Sequence, residues 1–242
     1  MDTRSHSKLF SAVAVMALAL SIALVLLLGG CGGGNKNVDA KAVLAQCSTA
    51  MKTITGFHFV YEVHKPSSAK PGSGLDISRI TGDVDKQGHM QASVDATFGG
   101  IPVTVGFVSL GETQYIQDPV SKKWQKLSAA DSPVGNLSLA AGTILILDEM
   151  TNVSYVGQDS KGGASTYHTR GTVTAEQVKA IAGSVSVPST TPFPTDIWVG
   201  VNDHYVYEVD FAGAATTDED PKTTRSIVLS KQNESVDITA PQ

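Results

Sequence analysis

The sequence predicts an α+β fold, with three helices covering one meandering antiparallel sheet of about ten strands, near the limit for an open sheet. A sheet that wide must curl or close. Three features carry the prediction. From residue 57 onward apolar residues recur at every second position, as side chains do on alternate faces of a strand. Turn residues punctuate the alternating runs, most sharply at Gly99-Gly100. The period lengthens to three and four only over residues 38–54, 137–150 and 174–182.

Taken in order, the first helix places Val43, Leu44, Cys47, Met51 and Ile54 on one face, with Asp39 in its first turn and Gly56 ending it. The first strand turns Phe57, Phe59, Tyr61 and Val63 one way and His58, Val60, Glu62 and His64 the other. A turn-rich loop over 66–74 leads to a strand over 75–84. The next strand carries Met90, Ala92, Val94, Ala96 and Phe98 on one face. Gly99-Gly100 then turns the chain into Ile101, Val103, Val105 and Phe107. Short strands follow over 113–117 and 123–126. The second helix, with Ile144, Leu145 and Leu147, is apolar on more than one side, as a buried helix is. Strands over 152–157 and 165–173 flank Lys161-Gly162-Gly163. Thr174 and Gln177 form a capping box for the third helix. After a Pro/Ser/Thr-rich loop over 187–194, a hairpin joins 197–201 to 204–211. The loop over 216–221 is acidic and expected to be solvated, and strands over 225–230 and 235–238 close the sheet.

Composition narrows the function classes. The chain has 242 residues and a net charge of −5, which excludes the basic surface that nucleic acid requires and gives no overall attraction to anionic lipid. No cofactor is expected. No Gly-x-Ser-x-Gly elbow and no His-Glu-x-x-His occurs, so no enzymatic activity is expected. His58, Glu62 and His64 share a strand face, but three donors along one strand are a weak metal signal beside a solvated surface. Asp218, Glu219 and Asp220 lack the spaced ligands of a calcium loop.

The first thirty residues define where the rest resides. Arg4 and Lys8 precede an apolar run over 9–28 that stops at Gly29-Gly30-Cys31, the order of a secretory signal. A Cys directly after small residues resembles the bacterial lipobox, whose thiol takes a diacylglyceryl group and becomes the new N-terminus. Residues 1–30 are then a signal peptide, 31–37 a lipidated Gly-rich tether, and 38–242 one domain held at the extracytoplasmic face of the cytoplasmic membrane. The alternative is an uncleaved anchor, because about 20 apolar residues can span a bilayer. With Cys31 lipidated, Cys47 has no disulfide partner and is expected as a buried thiol.

On the residues alone, the sheet's apolar faces either pack into a filled core or leave a cavity for an apolar molecule. Several stretches resemble the mycobacterial-type LppX/LprA/LprF/LprG lipoprotein family. They are residues 111–124, ending in Lys123-Trp124; residues 152–157 with 162–171; Trp198 with the hairpin into 204–209; and Gly56-Phe57-His58-Phe59 after the opening helix. The resemblance implies a strongly curved half-barrel sheet with helices on its concave face enclosing an apolar cavity, an architecture similar to that of the Lol-type carriers. It implies binding of acylated lipids or glycolipids and their carriage between membrane and outer envelope, in which a membrane transporter could be a further partner. The family carries no ligand motif to transfer. The expected cavity lining is therefore drawn from the apolar faces: Phe57, Phe59, Tyr61, Val94, Ala96, Phe98, Val103, Val105, Phe107, Ile144, Leu145 and Leu147. The alternative function is a filled-core envelope lipoprotein that acts as an interaction or structural module.

Replacing Cys31 with Ala is expected to abolish metabolic labelling of the protein by a fatty acid. Retained label would place the anchor elsewhere.

Overall fold

The computed structural model describes residues 38–66, 75–128, 132, 138–182 and 185–242. The apolar run, Cys31 and most of the 66–74 loop lie outside these residues. Among the described residues no helix is long and apolar enough to cross a membrane.

Eleven strands form one antiparallel sheet: β1 (Gly56–His64), β2 (Leu75–Asp85), β3 (Met90–Phe98), β4 (Ile101–Leu110), β5 (Thr113–Gln117), β6 (Trp124–Ser128), β7 (Thr151–Lys161), β8 (Ala164–Thr174), β9 (Pro192–Gly200), β10 (Val206–Ala212) and β11 (Thr224–Ser230). The spatial order is β6-β5-β4-β3-β2-β1-β11-β10-β9-β8-β7. Two meanders therefore meet where the first strand pairs with the last, with Phe59 opposite Leu229 and Tyr61 opposite Ile227. The sheet ends at β6 and β7 and is not closed into a barrel.

Period-two alternation sets one apolar face across the whole sheet. Phe57 lies opposite Val84, and Tyr61 opposite Ile80. Val84 in turn opposes Met90, and Ile80 opposes Val94. Val94 meets Val105 and Ala96 meets Val103 on β4, and Phe107 meets Ile116 on β5. In the other direction Ile227 meets Val209 and Val209 meets Ile197. Gly99 and Gly100 both take positive φ (57° and 83°), which allows the two-residue turn between β3 and β4.

The helices are α1 (Ala40–Met51), α2 (Leu139–Glu149) and α3 (Ala175–Ala182). Asp39 is the N-cap of α1 rather than part of its first turn, its Oδ1 accepting from the amides of Lys41 (3.0 Å) and Ala42 (3.3 Å). The α3 capping box is present: the Thr174 amide donates to Gln177 Oε1 at 2.6 Å. Gln177 Nε2 also donates to Glu149 Oε2 at 2.9 Å, tying α3 to the end of α2. The apolar character of α2 on several sides is explained by its neighbours, since it packs on both α1 and α3. Gly142 lets α3 approach closely; a Cβ there would lie 2.4 Å from Ile181 Cγ2. Against the sheet, α1 and α3 meet β7, β8 and β9.

Three expectations need correction. Pro192, Phe193 and Pro194 belong to β9, not to the preceding loop. Pairing of β9 with β10 stops at Thr195, so this prolonged end pairs only with β8, and a strand with one open side tolerates proline. Residues 235–238 form no strand: β1 and β11, the candidates near the chain's end, already have partners on both sides. Ile238 is nonetheless buried. The loop over 216–221 is not simply solvated. Glu219 turns inward and accepts from Arg225 Nη2 with both carboxylate oxygens at 2.5 Å; the Arg225 side chain is buried and that of Glu219 is only 9% exposed. Arg225 Nη1 donates to the Gly213 carbonyl (2.9 Å), the Ala215 amide donates to Glu219 Oε2 (2.6 Å), and Arg225 hydrogen-bonds the buried Tyr61. A buried pair is costly to break because the remaining charge has no water to solvate it. Glu219→Ala is expected to cost about 3–5 kcal/mol by denaturant unfolding, with most of it regained in the double variant Arg225→Met/Glu219→Leu.

Candidate functional site

The apolar face is not uniformly filled. Toward the turns that join β1 to α1 and β2 to β3, large side chains close over one another: Phe57, Phe59, Val84, Met90 and Phe107 are all nearly inaccessible to solvent. Toward the β3–β4 turn the side chains shrink, with Ala96 facing Val103 across the ladder. Ala and Val fill too little of the space between Phe98 and Ile116, and a pocket of about 310 Å³ remains. Phe98, Val103, Val105 and Ile116 supply its apolar wall, and Pro119 and Gln125 border it with Gln117 and Asp118. The volume falls at the lower end of the range of roughly 300–1,000 Å³ typical of small-molecule sites.

The sequence-expected lining divides accordingly. Phe98, Val103 and Val105 lie in the pocket. Phe57, Phe59, Tyr61, Val94, Ala96 and Phe107 share the same sheet face but are packed beneath or beside it, all buried. On α2, Leu147 is buried while Ile144 and Leu145 are half-buried; none of the three borders this pocket. Ile116, Pro119 and Gln125 were not anticipated. The signal for Ile116 was present in the alternation of β5, which at five residues offers too short a pattern to assign a face with force.

The polar border is engaged in building the β5–β6 turn. Asp118 Oδ1 accepts from the amides of Val120 (3.0 Å) and Ser121 (2.6 Å), and these bonds, the Ser121 amide foremost, hold its carboxyl below the usual range. Gln117 Nε2 donates to the Lys122 carbonyl at 3.1 Å. On the far face of β4, Trp124 and Gln117 crowd Gly106, so this arm is backed by an aromatic side chain.

The opposite sheet face carries the charged residues, and they pair with one another. His58 meets Asp83 at 2.8 Å, and Glu62 is engaged by Arg79 and lies 3.7 Å from His64, so His58 is directed away from the other two suspected metal donors. Among the described residues no group of three His, Cys, Asp or Glu side chains is placed to hold a metal. Trp198 is clasped by a stacked His168 ring (4.4 Å between centroids) and by Lys161 Nζ 4.1 Å from its centroid. Its Nε1 donates to Asp159 at 3.2 Å. His168 and Arg170 both engage Asp196 Oδ1, at 2.6 and 2.8 Å, and Lys161 pairs with Glu208 at 2.8 Å. Cys47 is a free, fully buried thiol, and burial pushes its pKa up, which leaves it unreactive.

The fold and the site together define a wide-sheet protein with an apolar pocket on one face and paired polar side chains on the other. The chain belongs to the LppX_LprAFG lipoprotein family, whose model matches residues 39–241. It is 26% identical over 251 residues to the lipoarabinomannan carrier protein LprG of Mycobacterium leprae, covering 99% of this chain and 98% of that one. It is 24% identical to the protein of the same name from Mycobacterium tuberculosis, over 98% of this chain and 97% of the relative. Among solved structures, LprF from Mycobacterium bovis superposes with a TM-score of 0.62 at 18% identity, over 84% of this chain and 96% of that one. LppX from Mycobacterium tuberculosis gives 0.54 at 22% identity, over 83% and 100%. These structures share the fold.

On the charged face one carboxyl is pushed well above its ordinary range. Asp210, half-buried opposite Asp196 with one carboxylate oxygen unpartnered, is raised to about 6. Burial is the main cause, followed by Glu208; Asp196 adds to the shift, while Lys161 and His64 oppose it. The unfolded chain loses this proton near the ordinary carboxylate value and the folded chain only near 6, so stability falls as pH rises through that window. Asp210→Asn is expected to stabilise the protein at pH 7 by on the order of 1–2 kcal/mol, allowing for partial solvent screening. Melting curves should show that gain vanish as pH falls toward 4.

Proposed function

We propose that this protein is a membrane-anchored envelope lipoprotein that binds acylated lipids or glycolipids by their acyl chains and carries them between the membrane and the outer envelope. The observation that supports it best is the pocket walled by Phe98, Val103, Val105 and Ile116. Each CH₂ transferred from water to such a wall gains about 0.8 kcal/mol, so a chain burying about ten methylenes gains roughly 8 kcal/mol, against which the loss of its freedom on binding is set. The carrier names of relatives that align along almost the whole chain favour the same reading. In this reading residues 1–30 are removed, Cys31 is acylated and holds the domain at the outer side of the membrane, and α1–α3 cover part of the concave side while the β3–β5 arm receives the lipid.

A filled core is the competing reading, favoured by the tight burial of Val94 and its neighbours. Two tryptophan variants separate them. Val103→Trp should fill the pocket, leaving the melting temperature near that of the parent and abolishing uptake of a fluorescent diacyl phospholipid. Val94→Trp should overpack the layer beneath and cost about 1–3 kcal/mol. If the parent takes up no lipid and both variants lower the melting temperature, the core is full and the carrier reading fails.

A further inference from the structure

Exposed apolar side chains are not spread evenly. Among the described residues, five large hydrophobic side chains are exposed, and three of them, Phe98 (60%), Ile101 (67%) and Val120 (89%), sit on two adjacent turns. Phe98 and Ile101 are paired partners at the β3–β4 turn. Val120 follows Pro119 in the β5–β6 turn, and Phe98 and Pro119 border the same pocket. The two tips therefore flank its mouth. Water-facing residues at such positions are ordinarily polar, and a cluster of this kind marks a surface that meets something apolar.

The charge beside the cluster indicates what that surface meets. Lys122 and Lys123 lie one residue beyond Val120, after Ser121, and are both exposed. Among the described residues neither forms an ion pair, and the Asp118 carboxylate beside them, which the Lys122 charge helps to hold ionised, accepts the turn's own amides. The chain as a whole is acidic, so two neighbouring lysines next to an exposed Val, Ile and Phe are a local exception. Apolar side chains that dip below the headgroups with basic side chains at their level are the arrangement of an interfacial anchor.

We propose that the β3–β4 and β5–β6 turns form a docking edge that seats the pocket mouth on an anionic bilayer, so that an acyl chain passes between membrane and pocket without crossing water. The purpose of this edge rests on the carrier reading; the contact itself does not.

The full-length protein, reconstituted into vesicles of phosphatidylcholine and phosphatidylglycerol, provides the test. An environment-sensitive dye is placed at Ile101→Cys and, as control, at the exposed Val156→Cys on edge strand β7. The dye at 101 should shift to the blue and be quenched by a nitroxide in the acyl region, and the dye at 156 should do neither. The variants Ile101→Asp/Val120→Asp and Lys122→Glu/Lys123→Glu, which leave the pocket wall intact, should slow vesicle-to-vesicle transfer of a fluorescent diacyl phospholipid about tenfold while equilibrium uptake is unchanged. An aqueous signal at 101 with intact lipid uptake overturns the docking edge and leaves the carrier standing. A buried signal at 101 with no uptake upholds the edge and removes the carrier. Loss of equilibrium uptake in the tip variants assigns the tips to the pocket and overturns the proposal.

Discussion

The pairing of β1 with β11 is the constraint on which the rest of the molecule depends. It joins the two ends of the chain's sheet region and fuses two meanders into one surface eleven strands wide. Such a sheet has far more apolar face than three short helices can cover. The helices meet β7 to β9, and everything toward β6 must be buried by its own side chains or remain accessible. Where β1 to β4 carry Phe57, Phe59, Met90 and Phe107, the face closes on itself. Where they taper to Ala96 and Val103, it does not. The pocket is thus a consequence of sheet width combined with side-chain volume at a few positions.

Polar chemistry follows the same division. Histidines and carboxylates of the strands lie on the opposite face, where His58, His168 and Asp196 are consumed in pairs across neighbouring strands and Glu208 of β10 by Lys161 at the end of β7. Arg225 is a charged side chain on the inward face, neutralised by Glu219 and fastening the β10–β11 connection against Tyr61. An apolar site bordered by groups that are already hydrogen-bonded is suited to holding a chain by dispersion and desolvation rather than to reacting with it.

Much of this architecture was legible in the sequence because its signals are local. Alternation fixed which side of β3 and β4 is apolar, Gly99-Gly100 made them neighbours, and the Thr174–Gln177 box located a helix start to the residue. What was hidden depends on pairing between distant residues. No local pattern announces that β1 closes against β11, that residues 235–238 find no free edge, or that Pro192 and Pro194 can join a strand open on one side. Glu219 looked solvated because its partner lies beyond the loop, across a turn of chain that the sequence does not show folding back. Of the pocket's lining, Phe98, Val103 and Val105 follow from alternation, but Ile116, Pro119 and Gln125 join them only through the pairing of β4, β5 and β6.

The central claim is that acyl chains occupy this arm of the sheet and not its packed centre. Photo-cross-linking with a diacyl phospholipid bearing a diazirine in its acyl chain, followed by mapping of the adducts by mass spectrometry, tests it most directly. The account predicts adducts on β3, β4 and β5 around Phe98, Val103 and Ile116, competed away by unlabelled lipid. Adducts confined to the charged face or to β7–β9, or none that unlabelled lipid displaces, would contradict it.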